Sequence, residues 1–199
     1  MAKLFAKVNN VNINIGSLLL KVKNKKKLVN RSYFINNKGE IIKKYDKIHM
    51  FDVNINKKET HRESDTFQAG SNIVLLNIDK IKIGLTICYD LRFPNLFRKL
   101  AQRGAQIILM PAAFTVPSGK DHWEVMLRSR AIENSLFLVA TDMCGNHHTN
   151  RKTYGHSLLV NPWGKIVAKA KTKPKILNTI INLEEVEHAR NKIPAILND

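Results

Sequence analysis

Cysteine is almost missing from this chain: only Cys88 and Cys144 occur in 199 residues. Two thiols cannot frame a disulfide scaffold. Both close strand-like runs in a chain without an export signal, so free thiols in a reducing cytoplasm are expected. No run of 18 apolar residues occurs, which leaves no candidate for a membrane-spanning helix. The opening residues Met1–Val8 are too few, and too broken by Lys3 and Lys7, to form the apolar core of a secretory signal. No Pro/Gly/Ser-rich linker and no internal repeat interrupts residues 1–199, so one domain is expected, with 44% apolar residues to fill its core. Cys144, His147, His148 and His156 offer metal-ligating atoms, but no Cys-x-x-Cys pair and no His-x-x-x-His spacing organises them. Neither a metal nor a cofactor is expected.

Negative charge is scarce as well. Lys and Arg number 33 against 16 Asp and Glu, a formal net charge of +17, and residues 1–60 hold 14 of the bases with 4 of the acids. The densest cluster, Lys21-Val-Lys-Asn-Lys-Lys-Lys27, could attract phosphate backbones through counterion release. Only Tyr33 and Phe34 lie near it, with no series of stacking aromatics and no helix-turn-helix pattern. The cluster also falls between two strand-like runs, where a solvated loop is the ordinary outcome. Nucleic acid is therefore not an expected partner.

What is present is a regular alternation of strand and helix signals. Val11–Lys21, Ser32–Ile35, Ile41–Tyr45, Ile73–Asn77 and Ile81–Ile87 read as strands, with turns at 36–40 and at Ile78-Asp-Lys80. Gln106–Pro111 and Leu136–Thr141 are apolar runs of the kind found in buried strands. Trp123, Met126, Leu127, Arg130 and Ala131 recur at helical spacing. Leu158–Val160 and Ile166–Ala168 flank a hairpin turn, Leu177–Ile181 reads as a further strand and Leu183–Ile193 as a closing helix. This order predicts an α/β layered protein.

One cysteine occupies a special place in that order. Ile81, Ile83, Leu85 and Ile87 alternate with Lys82, Gly84 and Thr86 and lead into Cys88-Tyr-Asp-Leu-Arg-Phe-Pro94. Pro94 opens a helical pattern (Leu96, Phe97, Leu100, Ala101) that Gly104 stops. The thiol thus lies at a strand-to-helix turn, where open α/β sheets place ligands and nucleophiles. Backbone N–H groups at such a turn can stabilise a thiolate and, later, an oxyanion. A free cysteine is also commonly a small buried apolar residue, and the position alone does not choose between the two.

Four motifs taken together do choose. Tyr45-Asp-Lys-Ile-His-Met-Phe-Asp52 with His61-Arg-Glu-Ser64, then Cys88–Pro94, then His122-Trp-Glu-Val-Met-Leu-Arg-Ser-Arg-Ala-Ile-Glu-Asn134, then Gly155-His-Ser-Leu-Leu-Val-Asn-Pro-Trp-Gly164 resemble the nitrilase superfamily of carbon–nitrogen hydrolases, most closely its Nit-type, ω-amidase-like branch. The resemblance runs from about Asn12 to Pro194 with the motifs in the family's order. It implies a four-layer αββα sandwich and hydrolysis of small linear amides through a cysteine thioester. It also implies Cys88 as nucleophile, Lys47 as catalytic lysine and Glu63, sixteen positions after it, as the lysine's supporting carboxylate. Tyr89, Arg92 and Glu124 fall where substrate contacts are expected. The chemistry is coherent in its own right. An ammonium beside a thiol of ordinary pKa near 8.5 favours the thiolate and then the tetrahedral oxyanion. A Cys88–His49 or Cys88–His156 hydrolase is a second enzyme reading, which leaves the motif around Lys47 unexplained.

Set against that family, further absences appear. The first glutamate of the chain is Glu40, in a turn before the lysine motif, so the family's general-base glutamate has no counterpart here. Val11–Leu20 resembles the family's third strand, and the first strand, first helix and second strand are expected to be lacking, with a shortened carboxyl end after Ile193-Pro-Ala-Ile-Leu197. Asn95 stands where Nit-type relatives carry Glu. Two function classes follow. One is an amide hydrolase impaired by loss of its base; the other is an inactive remnant that binds a ligand or partner. Uncovered sheet edges predict a homo-oligomer in either case.

Overall fold

The alternating runs of the sequence become strands of two main sheets. A computed structural model describes residues 1–23, 26–56, 59–147 and 151–198 and divides the chain into two compact units, Met1–Val74 and Leu75–Asp199.

The first unit opens with a helix the sequence patterns do not announce, α1 (Ala2–Asn9), which buries only Ala6 and ends at Asn10 in the left-handed region (φ 53°). Strands β1 (Ile13–Leu20), β2 (Val29–Ile35) and β3 (Ile41–Asp46) form an antiparallel sheet in the order β1-β2-β3. β2 is central and buried along nearly its whole length. The turn joining it to β3 is tied by Asn36, whose Oδ1 accepts the Lys38 and Glu40 N–H groups at 3.0 and 2.9 Å. Two polar strands, β4 (Asp52–Asn56) and β5 (Glu59–Arg62), pair antiparallel and lead directly into a single helical turn, α2 (Glu63–Thr66).

The second unit is built on a six-stranded sheet. Its strands are β6 (Val74–Ile78), β7 (Ile81–Leu85), β8 (Ile107–Ala112), β9 (Phe137–Asp142), β12 (Leu158–Val160) and β13 (Ile166–Lys169), in the order β13-β12-β9-β8-β7-β6. A small ribbon, β10 (Cys144–Asn146) with β11 (Lys152–Tyr154), lies between β9 and β12 in the chain. β7, β8 and β9 run parallel, while β12 and β13 return antiparallel. Helix α3 (Pro94–Gln102) lies between β7 and β8 in the chain and buries Leu96, Phe97, Leu100 and Ala101. It ends as its glycine foretells. Gly104 adopts φ +92°, its N–H bonds the Ala101 carbonyl at 2.8 Å, and the Ala105 N–H bonds the Leu100 carbonyl at 3.0 Å, a Schellman closure. A short turn, α4 (Val116–Ser118), and a π-helical turn at Gly119–Trp123 run into α5 (Glu124–Asn134), which buries Leu127, Arg130, Ala131 and Asn134. Helix α6 (Glu184–Lys192) closes the unit, close to the expected Leu183–Ile193.

Two expectations need correction. Residues 177–181 form no strand: Leu177 and Ile181 are only half-buried and Ile180 is 92% exposed, so Leu-Asn-Thr-Ile-Ile presents no buried face for a sheet to cover. β7 stops at Leu85, and Cys88 opens a 3-10 turn (Cys88–Arg92) rather than closing the strand. Two residues of the basic Lys21–Lys27 cluster, Asn24 and Lys25, lie outside the described residues, as does His148.

Candidate active site

The first cluster of functional groups is built at the end of β3. Arg31 on β2 grips Asp46 through two parallel bonds, Nε to Oδ1 at 2.5 Å and Nη2 to Oδ2 at 2.9 Å, which fixes the strand just before Lys47. Lys47 itself is pinned by its backbone: its N–H bonds the Asn30 carbonyl at 2.9 Å and its carbonyl accepts the Gly70 N–H at 2.8 Å. The chain turns inward here, so that the Lys47 side chain is only 3% exposed. Its ammonium pairs with Glu63 Oε2. The polar β4–β5 hairpin carries Glu63 to this position, where the same Oε2 accepts the Phe51 N–H at 2.6 Å and Oε1 accepts Asn30 Nδ2 at 3.4 Å. A cation almost removed from water, and a carboxylate held by two further donors, make a charge pair whose geometry is fixed before any ligand arrives. The Asp52 carboxyl, which accepts the Ser64 N–H at 3.0 Å, is held below the usual carboxylate range by that bond and steadies the start of α2.

The second cluster forms where β7 gives way to helix. Cys88 is half-buried, forms no disulfide and sits at φ +49°, a left-handed conformation that costs a non-glycine residue energy and recurs at functional turns. Asp90, fully buried, enforces the turn: its Oδ2 accepts the Ile87 N–H at 2.8 Å, and its own N–H bonds the Ile87 carbonyl at 3.1 Å. Arg130 on α5 holds the other side by bonding the Leu91 carbonyl at 3.0 Å. Tyr89 meets Phe93 edge-on at 5.4 Å. Arg92 lies between two rings, 5.9 Å from Tyr89 and 5.8 Å from Phe114, and its Nη2 reaches His122 Nδ1 at 3.2 Å. Among the described residues no carboxylate pairs with Arg92.

Glu124 goes elsewhere. At the first turn of α5 it pairs with Lys169, both about 40% exposed, on an open groove of about 570 Å³ whose walls include Lys120, Arg128 and Tyr154. Of the proposed metal-ligating residues, Cys144 is a free thiol, His147 Nε2 bonds Thr153 Oγ1 at 2.9 Å and His156 Nδ1 bonds the Tyr154 carbonyl at 2.7 Å. Among the described residues no three His, Cys, Asp or Glu side chains gather as a metal site would require. One buried acid escaped the sequence reading altogether. Asp142 is 7% exposed, and burial pushes its carboxyl up to about 7 against the pull of neighbouring N–H groups. The signal available was a carboxylate placed directly after the apolar run Leu136–Thr141.

Residues 2–191 match the model of the carbon-nitrogen hydrolase family. A curated relative, the deaminated glutathione amidase of Yersinia enterocolitica, is 40% identical over 188 residues, covering 92% of this chain and 65% of its own. Among solved structures, the NitFhit protein of C. elegans aligns with a TM-score of 0.92 at 34% identity over 99% of this chain and 48% of that one. Nit3 of Saccharomyces cerevisiae, assigned to branch 10 of the nitrilase superfamily, aligns with a TM-score of 0.87 at 30% identity over 96% of this chain and 67% of that one. The chain spans between 51% and 66% of the length of the curated relatives it matches. With its α/β fold matching those structures, this chain belongs to the carbon–nitrogen hydrolase family and has the nitrilase fold.

Proposed function

We propose that this chain attacks small linear amides bearing a remote carboxylate, through a thioester on Cys88. The observation that carries the reading is the pairing of a nucleophile-type turn with a guanidinium that no carboxylate holds. Cys88 stands at φ +49° at the head of a 3-10 turn, and four residues later Arg92, flanked by Tyr89 and Phe114, has no carboxylate partner among the described residues. Its Nη2 meets His122 Nδ1 at 3.2 Å and its Nη1 the Met126 sulfur at 3.8 Å, weak partners that an incoming carboxylate can replace in two-point fashion. Family membership and the name of the amidase relatives fit the same chemistry. The Cys88 thiol gives up its proton to solvent, the thiolate adds to the amide carbonyl with the oxyanion stabilised by Lys47, and collapse breaks the carbon–nitrogen bond as solvent returns that proton to the nitrogen, which leaves as ammonia while the acyl group stays on sulfur. Glu63 pairs with Lys47 and keeps it aimed. The two units act as one hydrolase domain, and copies of the chain associate. A cytoplasmic, reducing setting suits Cys88 and Cys144, neither of which is in a disulfide.

The second half-reaction needs a base to activate water, and such a group contributes about 10²–10⁴-fold. Glu124 is engaged by Lys169, which withholds it from that task, so deacylation is the slower half-reaction. Ammonia release from short ω-amides is the test: the expected trace is a burst of about one equivalent per chain followed by slow turnover, with the burst lost in Cys88→Ala. No burst from folded protein refutes the reading; fast steady turnover shows that another residue serves as base.

A further inference from the structure

Asp142 ends β9 at the carboxyl edge of the parallel strands, two strands from β7, and three segments converge on it. From the chain after β8, the Phe114 N–H bonds its Oδ1 at 2.8 Å. From the segment before β12, the Ser157 hydroxyl accepts the Asp142 N–H at 2.9 Å and bonds back to the Asp142 carbonyl at 3.3 Å. The β10–β11 ribbon is stitched on by Met143 N–H to Ala112 carbonyl (2.9 Å), Gly155 N–H to Met143 carbonyl (3.0 Å) and Tyr154 N–H to Phe114 carbonyl (2.9 Å). The other carboxyl oxygen, Oδ2, is buried and has no hydrogen-bond partner among the described residues.

The charged group facing Asp142 is the Arg151 guanidinium from the ribbon, which donates to the Ala113 carbonyl at 2.9 Å. Ser157 presents a neutral hydroxyl, and the segment after β8 presents Phe114 and Thr115, neither of which titrates. Phe114 in turn places its ring 4.7 Å from Trp123 and 5.8 Å from the Arg92 guanidinium. A carboxyl group therefore lies one hydrogen bond from the aromatic wall beside Arg92.

We propose that Asp142 is a positioning residue: it sets the Phe114 wall against Arg92, and sets it differently as a carboxylic acid and as a carboxylate. In the acid form the Phe114 bond satisfies Oδ1 and no charge is buried. In the carboxylate form the charge at Oδ2 faces only the nearby Gly155 and Met143 N–H groups, already bonded to the Met143 and Ala112 carbonyls, so it draws the Arg151 guanidinium away from the Ala113 carbonyl and loosens the segment that carries Phe114. Burial pushes the Asp142 carboxyl up to about 7, so the two forms exchange near neutral pH. The link from this wall to substrate affinity rests on the assignment of Arg92 above; the movement of the wall does not.

The test reads the wall directly. Trp123 is buried and in contact with Phe114, and a Trp163→Phe background leaves it the single indole of the chain. Its emission should titrate with a midpoint near 7 in that background and lose the titration in Asp142→Asn, which keeps an oxygen for the Phe114 N–H. The control matters because the Trp123 indole donates to the His156 carbonyl at 2.9 Å. A titration that persists in Asp142→Asn belongs to the histidines and overturns the proposal, as does a flat profile in the parent. Should Asp142→Asn fail to fold, infrared spectroscopy of the unmodified chain decides: a protonated carboxyl band present at about pH 5 and lost by about pH 9 supports the proposal, and its absence at about pH 5 overturns it. A second arm uses ammonia-burst kinetics. The half-saturating concentration for carboxylate-bearing amides should rise several-fold through neutral pH in the parent and stay level in Asp142→Asn. A chain that gives the fluorescence titration but no burst refutes the hydrolase reading and leaves the Asp142 device intact.

Discussion

Removing the Glu63 carboxylate strands the Lys47 ammonium in a site that water barely reaches. Lys47 is 3% exposed and Glu63 14%, and the carboxylate serves three donors at once: the ammonium, the Phe51 N–H at 2.6 Å and Asn30 Nδ2 at 3.4 Å. Breaking a buried pair by deleting one partner costs about 3–5 kcal/mol, because an uncompensated charge remains. Glu63→Ala should therefore lose about 3–5 kcal/mol in urea unfolding at neutral pH, with the denaturant slope unchanged. For a chain of this length that corresponds to a drop in Tm of roughly 6–20 °C. Glu63→Gln keeps an acceptor for the Phe51 N–H but not the charge, and should fall between the parent and Glu63→Ala. The double variant Lys47→Met with Glu63→Leu removes both charges and should recover most of the loss. A Glu63→Ala variant within about 0.5 kcal/mol of the parent would refute the reasoning, since it would mean that the ammonium does not depend on this carboxylate.

Further outcomes follow from the same structure. The Asp142 carboxyl, pushed up from 3.8 to about 7 by burial, binds its proton more tightly folded than unfolded, so stability falls as pH rises from about 4 to about 7; the loss is at most about 4 kcal/mol, and Asp142→Asn should flatten that slope in thermal melts across the range. Arg92→Gln should raise the half-saturating concentration of carboxylate-bearing amides roughly 10- to 150-fold and leave neutral amides unaffected, because a charge-assisted bond contributes about 1.5–3 kcal/mol. Iodoacetamide should alkylate Cys88 faster than Cys144 near neutral pH, and Lys47→Met should narrow the gap, as followed by mass spectrometry of the two cysteine peptides.

The readable parts of the fold were those where one periodicity ran unopposed. Ile81, Ile83 and Leu85 alternate into β7, Pro94 opens α3 and Gly104 closes it with the bonds a Schellman turn requires, so the turn that carries Cys88 followed from local signals. The setting of Glu63 did not. β4 and β5 are Asp-Val-Asn-Ile-Asn and Glu-Thr-His-Arg, with Val53 and Ile55 alternating in the first and no apolar residue in the second, too short a signal to mark the pair, and Glu63 at the start of α2 was legible only through the family motif. Leu177–Ile181 shows the reverse error, β-branched and apolar residues that pair with no strand among the described residues. α1 went unread because it buries a single alanine and turns Leu4, Phe5 and Val8 outward, opposite to the face that a hydrophobic pattern marks. Burial of Asp142 depends on three segments meeting, which no local pattern encodes.

Peptide mass spectrometry of the protein, quenched in acid after brief mixing with a short carboxylate-bearing ω-amide, reads whether Cys88 accepts the acyl group. An adduct equal to the amide minus ammonia is expected on the peptide that contains Cys88, near one per chain, absent from Cys88→Ala and strongly reduced in Lys47→Met. An adduct on Cys144, or none on folded protein at saturating amide, would contradict that expectation.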